Sequence, residues 1–220
     1  MASAKELFPL VSVDIALFSV DLGALRVLLV RRAVEPQKHR WALPGAVLNP
    51  DRDADLESTA RRALREKLKL EIACLEQVST FSGPHRDERG WSIAVLFYAL
   101  LPRDQLEAVV GNKIEALEWF DARAPGHDLA FDHGLQLDCA VQVLRDKVAR
   151  HGLPVHLLPT RFTLTELQNT CEAILGHALD KSVFRRRLKS SVDLLELGGE
   201  FVTGPQRPAQ LFCAREGYVF

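Results

Sequence analysis

Two apolar stretches near the start of the chain, residues 10–20 (LVSVDIALFSV) and 24–32 (ALRVLLVRR), flank Asp21-Leu22-Gly23. β-Branched and apolar residues on either side of a turn predict two antiparallel strands. A polar loop through Pro36 and His39 leads to Trp41-Ala42-Leu43-Pro44-Gly45, whose Pro-Gly step marks a tight turn. Leu56, Ala60, Leu64 and Leu68 then recur at helical spacing. Asp51, Asp53 and Asp55 precede them as candidate caps, Asp55 lying nearest the start. Residues 92–101 (SIAVLFYALL) are almost continuously apolar, as in a strand buried on both faces, and 116–120 (ALEWF) read as a short strand. Residues 131–150 form an amphipathic helix with Leu135, Leu137, Ala140, Val141, Leu144 and Val148 as its inner stripe.

His151-Gly152-Leu153-Pro154 ends that helix and sets a domain boundary, giving units 1–152 and 153–220. Residues 163–175 read as a helix with Thr163 as N-cap and Glu166 three residues on, a capping box. Residues 176–179 turn, and Asp180 caps a second helix over 181–189. Short strands follow at 194–197, 200–203 and 209–215, with a turn at Gly198-Gly199 and a loop at 204–208. Two helices with a short turn and then a hairpin is the order of a winged helix-turn-helix.

The composition narrows what such a chain can do. Its 220 residues are 47% apolar, ample for a packed core, and the net charge of −1 gives no global pull toward nucleic acid. Any such affinity must come from a local cluster. Cys74, Cys139, Cys171 and Cys213 are far apart among apolar neighbours, as core residues rather than a disulfide framework or zinc site. No signal peptide and no membrane-length apolar run is visible, so a cytoplasmic protein is expected.

Cleaving a nucleoside diphosphate linked to another group requires hard divalent cations held by carboxylates. A helix supplies these on one face at spacings of three and four. Residues 41–70 are similar to the Nudix box, a Gly followed by an Arg-Glu-apolar-x-Glu-Glu-x-Gly-apolar helix. Laid on this chain, the Gly falls on Gly45, the Arg on Arg62 and the first Glu on Ala63. The Glu-Glu pair falls on Glu66-Lys67, and the second Gly on Lys69. One ligand-type carboxylate of three remains, and Lys67 sets an ammonium where the family holds a metal. The expectation is a domain with no catalytic residues and no resident metal; magnesium would matter only to a residual hydrolase, with Asp51, Asp53, Glu57 or Glu71 rebuilding a site.

A pocket can outlive its chemistry. The loop GPHRDERGW, with Arg86, Asp87 and Arg89, resembles the segment that ADP-ribose-type Nudix proteins place over their ligand, and guanidinium forks suit phosphate. Ala130-Phe131-Asp132-His133 resembles a family segment near the nucleotide; His133 is either a contact or a helix-start residue. Trp41 either stacks on a base or packs in the core. The candidate ligand set is thus Trp41, Arg62, Glu66, Arg86, Asp87, Arg89, Asp132 and His133.

Lys181, Arg185, Arg186, Arg187 and Lys189 share one short helix without an acid, anchored by Phe184 and Leu188. Basic helices are usually just solvated, but this one is the second of a helix-turn-helix. With Thr163 and Arg207 in the wing, these five are the candidate DNA-binding residues. The segments DKSVFRRRL and QRPA resemble the Nudix-related transcriptional regulators of NAD metabolism, and the resemblance runs from about Val11 to Phe212. It implies an α/β/α Nudix-like sandwich with a mixed sheet followed by a winged helix-turn-helix. It also implies a repressor of NAD-related genes that senses ADP-ribose or a related nucleotide, and a homodimer on a palindromic operator. An active ADP-ribose hydrolase is the alternative.

Overall fold

The computed structural model describes residues 8–105, 114–150, 152–189, 191–202 and 208–220. Strands β1 (Leu10–Asp21) and β2 (Ala24–Arg32) form the expected hairpin, closed by Leu22 and Gly23 with positive φ. The two strands pair only over Phe18–Asp21 and Ala24–Val27. Beyond that they part. The first half of β1 pairs instead with β4 (Gly45–Val47), and the last residues of β2 pair with β3 (Trp41–Ala42). The Pro-Gly stretch is therefore a wedge that holds the sheet open.

Helix α1 (Leu56–Leu68) starts at Asp55, which forms a capping box with Ser58, and ends at Lys69 in the left-handed conformation. Strand β6 (Ser92–Leu100) runs parallel to β1, and β7 (Ile114–Asp121) pairs with the outer edge of β2. The sheet is mixed, in the order β3-β2-β1-β6-β5. Strand β5 (Cys74–Gly83) has no counterpart in the sequence reading. It is an edge strand carrying Glu76, Gln77, Ser79, Thr80 and Ser82, and such positions need not be apolar.

The pleat divides the core into two layers. Val13, Ile15 and Leu17 of β1 and Val95, Phe97 and Ala99 of β6 face Ala60, Ala63, Leu64 and Leu68 of α1. Ala16, Phe18, Leu96, Tyr98 and Leu100 face the other way, onto Leu137, Ala140 and Leu144 of α2 (His133–Ala149). Helix α2 begins two residues later than expected because Phe131 is left-handed, and Leu135 is 67% exposed, outside the inner stripe.

The second layer continues without a break into the C-terminal unit, through Leu167, Cys171 and Ile174 of α3 (Leu164–Leu175) and Phe184 and Leu188 of α4 (Lys181–Lys189). Arg123, after β7, donates to the carbonyls of Ala173 (2.7 Å) and Ile174 (3.0 Å), and Arg145 of α2 donates to that of Leu175 (2.9 Å). These are orphan acceptors at a helix C-terminus, where cations are favoured. The Tyr218 hydroxyl accepts from the Leu153 N–H, and Phe220 is buried against Tyr98 beneath the Lys147 ammonium.

A three-stranded sheet, β8 (Phe162–Thr163), β10 (Ala209–Ala214) and β9 (Leu194–Val202), completes the winged helix. Gly198-Gly199 makes no chain reversal. Strand β9 runs through it, and the register against β10 slips between Gln210 and Phe212. The Gln210 side chain fills the irregularity by donating to the carbonyls of Leu197 and Glu200. Two glycines here mark a bulge rather than a turn. All four cysteines are free, and burial pushes the Cys74 and Cys171 thiols up to about 12, as inert core groups. Among the described residues no helix is long and apolar enough to cross a membrane.

Candidate functional site

Where β1 and β2 part, a cavity of about 800 Å³ opens between the strand ends, the wedge, α1 and the loop after β5. Its walls include Ser12 and Asp14 from β1, Val30 and Arg32 from β2, Gly45 from the wedge and Arg62, Glu66 and Lys67 from α1. Arg86, Asp87 and Arg89 enter from the loop, and Phe131 and His133 from the start of α2. Among the lining residues are the guanidinium forks of Arg32, Arg62, Arg86 and Arg89, the acids Asp14, Glu35, Glu66 and Asp87, and the rings of Phe131 and His133.

The forks are aimed by carboxylates around them. Arg86 holds Asp132 with two parallel bonds of 2.9 and 2.8 Å and donates to the Ser92 hydroxyl. Asp132 also receives the Gln136 amide at 2.8 Å, and the same amide reaches Asp14 at 3.1 Å. Burial raises the Asp14 carboxyl, while His133, the Gln136 amide and the Arg86 guanidinium pull it down further, so it stays anionic. The Leu43 N–H donates to His133 Nδ1 at 2.9 Å, which leaves Nε2 facing Asp14 at 3.5 Å. Asp87 is buried, accepts from the Arg89 N–H and holds the Arg89 guanidinium at 2.6 Å.

Arg32 faces this network from β2. Its Nε donates to the Pro36 carbonyl at 2.8 Å, and its guanidinium lies 4.9 Å over the Phe131 ring. Burial and then the Arg89 guanidinium lower its affinity for its proton, while the carboxylates of Asp14, Asp87 and Glu35 raise it. Phe131 reaches this position only through a positive φ of 54°, a conformation that costs an ordinary residue about 1–2 kcal/mol. Such strain at a pocket wall fits a ring held for a ligand.

The α1 wall has a different character. Arg62 forks onto Asp53 at 2.6 and 2.7 Å and also reaches the Val47 carbonyl at 3.1 Å. The Arg62 fork holds the Asp53 carboxyl well below the usual carboxylate range, so the pair clamps the loop to the helix. Glu66 is engaged by Arg52 and lies 3.6 Å from Arg62. Ala63 is a buried methyl, and the Lys67 ammonium donates to the Gly45 carbonyl. Among the described residues no three His, Cys, Asp or Glu side chains gather as metal ligands. This donor set does not suit a hard divalent cation.

Of the ligand residues expected from sequence, Arg62, Glu66, Arg86, Asp87, Arg89 and His133 line the cavity, while Trp41 and Asp132 do not. Trp41 packs edge-on against Phe120 at 4.9 Å and beside His127, so core packing accounts for it. Asp132 lies behind Arg86 and orients it. Asp14, Arg32, Phe131 and Lys67 also line the cavity, beyond the set that the sequence pattern predicts. Two of these left a signal: Asp14 interrupts an apolar strand, and Arg32 ends the inward run Leu28, Val30.

The second candidate surface is α4. Asp180 caps it by accepting from the Val183 N–H at 2.7 Å, and Glu172 and Gln168 pin the preceding turn at Leu179. Phe184 and Leu188 are buried, and Lys181, Arg185, Arg186 and Lys189 are exposed. Arg187 differs: it is half-buried, with its guanidinium 5.1 Å over the Phe184 ring. Thr163 is buried and caps α3, exchanging hydrogen bonds with Glu166, which gives it a folding role. Arg207 lies outside the described residues.

Comparison with known proteins matches residues 9–136 to the NUDIX domain and 154–214 to the NrtR DNA-binding winged helix domain. The chain is 43% identical to the ADPR responsive transcriptional repressor NtrR of Acinetobacter baylyi, over 96% of this chain and 85% of that one. The crystal structure of Shewanella oneidensis NrtR complexed with a 27mer DNA is similar with a TM-score of 0.83 at 32% identity, covering 93% of each chain. The NUDIX domain of the same protein complexed with ADP ribose is similar with a TM-score of 0.59 at 32% identity, covering 65% of this chain and 94% of that one.

Proposed function

This chain belongs to the Nudix family and, within it, to the NrtR-type winged-helix regulators, and from that premise we propose that it is a DNA-binding transcriptional repressor responsive to ADP-ribose. The observation that carries the reading is the pairing, in one chain, of an arginine-lined pocket with a helix of exposed bases and no acid. Arg32 and Arg89 take the phosphates and Phe131 offers a face for a ring. Residues 1–152 sense and residues 153–220 read DNA, in the cytoplasm, at genes of NAD metabolism.

An effector moves a repressor off DNA only by binding one arrangement of the two units more tightly than the other. Arg123 and Arg145 are the groups through which such a preference reaches α3, because they tie the sensor to the end of the helix preceding α4. Two copies related by a two-fold axis then read a palindrome with half-sites about 34–36 Å apart. Hydrolysis has no place in this mechanism, and magnesium would enter only a residual side reaction. An electrophoretic mobility shift with the gene's own upstream region tests the reading. A retarded band that ADP-ribose releases is expected; the absence of a band at low salt would sink it.

A further inference from the structure

The exposed side chains of α4 include one that the basic cluster does not explain. Val183 is 53% exposed in the first turn, between Ser182 and the anchor Phe184. A single exposed valine is ordinary on a surface that meets only water. Its place on this helix is less so. Successive helical residues turn by about 100°, which puts Arg186 on the side opposite the buried pair Phe184 and Leu188. Ser182 and Val183 lie four and three residues before Arg186 and are exposed like it, so hydroxyl, methyls and guanidinium share that outermost face. Lys181 and Arg185 lie nearer the buried side, on the flank, from which long stems reach phosphate.

The first turn is also held in place. The Asp180 carboxylate accepts from the Val183 N–H at 2.7 Å, and the Asp180 carbonyl accepts from the Phe184 N–H at 2.9 Å. A valine in a helix keeps essentially one rotamer, so its two methyls stand at a fixed place with little entropy left to lose on contact. Fixed methyls one turn from an arginine fork have a complement in the major groove. Phosphate offers such methyls nothing, whereas thymine presents a methyl group on its major-groove edge.

We propose that Val183 is a sequence-reading residue of α4, packing on the C5-methyl of a thymine in the major groove. The proposal rests on the DNA-binding reading above and deepens it, assigning this valine to discrimination between bases. Apolar and charged contacts differ in their response to salt. A lysine or arginine at a phosphate displaces counterions, while a contact between methyls displaces none. Loss of the valine methyls therefore lowers affinity without changing the salt slope.

Anisotropy titration of the full chain with a duplex from the gene's own upstream region tests this, the duplex being made once with thymine and once with uracil throughout. Uracil lacks only the C5-methyl. The native chain is expected to bind the uracil duplex about three- to tenfold more weakly than the thymine duplex. Val183→Ala is expected to lose a similar factor on thymine, and its further loss on uracil to be less than about twofold. Alanine is the better helix former at an exposed position, so the melting temperature of the variant should not fall. Equal losses on uracil for the native chain and Val183→Ala overturn the proposal, because they report the shape of the duplex rather than this contact. Unchanged affinity of Val183→Ala for the thymine duplex also overturns it. So does a salt slope that falls together with affinity, since the substitution then disturbs the phosphate contacts. No binding of the native chain to the thymine duplex at low salt removes the DNA-binding reading and this inference together.

Discussion

Helices α1 and α4 are both short, amphipathic and rich in arginine, yet their charges have opposite fates. On α1 the arginines are answered: Arg61 by Glu57, Arg62 by Asp53 and Glu66, Arg65 by Glu71, while Arg52 reaches in to Glu66. On α4 there is no acid, and four of five basic side chains stand in solvent. Paired charges hold a wall in shape, whereas solvent-exposed ones are open to an external anion. The same residue type is paired scaffold in one helix and exposed charge in the other, according to the acids its neighbours supply.

The sharpest way to break this comparison is at α4. Arg185→Ala with Arg186→Ala is expected to weaken DNA binding by about 1–3 kcal/mol per arginine and to flatten the salt slope by about two. ADP-ribose affinity should not change. Arg61→Ala with Arg65→Ala, the same loss of charge on α1, is expected to leave DNA binding as it was; an equal loss measured by anisotropy titration would refute the distinction.

Next in size is Asp53→Asn, which leaves Arg62 without its carboxylate partner. Thermal melting should show a lower Tm at neutral pH. The pH dependence follows from the sign of the shift. The Asp53 carboxyl lies lower in the folded chain than in the unfolded one, so its contribution is present above about pH 4 and fades as acid titrates the folded carboxyl. Between about pH 5 and pH 3 the native Tm should therefore fall more steeply than that of the variant, and parallel curves would show that the pair does not clamp the loop.

Arg123→Ala probes the junction where scaffold meets reader. Its guanidinium is partly open to water, so the loss in stability is expected to be only about 1 kcal/mol. The informative readout is the ratio of DNA affinities with and without ADP-ribose, which should move toward one. The smallest effect expected is at Arg187→Ala. That side chain lies over Phe184, and the salt slope should shift by less than for Arg185 or Arg186.

Much of the architecture could be read from pattern because local chemistry and tertiary packing agree. Asp55 and Thr163 cap their helices through side-chain bonds to residues three positions on, and Val13, Ile15 and Leu17 must share one face of a strand. Pattern and structure diverge where an element's environment is supplied from elsewhere in the chain. Strand β5 is polar because it lies at an edge, Gly198-Gly199 becomes a bulge because β10 pairs past it, and Trp41 packs on Phe120 from a strand almost eighty residues on.

By itself the sequence determined the reduced carboxylate set of α1 and the basic, acid-free helix α4, since residue identity and spacing are properties of the chain. Tertiary structure decided the pocket. The divergence of β1 from β2 brings Arg32, Arg89 and Phe131 into one cavity, and only their juxtaposition there makes them candidate ligand contacts. Coulomb energy depends on separation and on burial, and neither is written in sequence order.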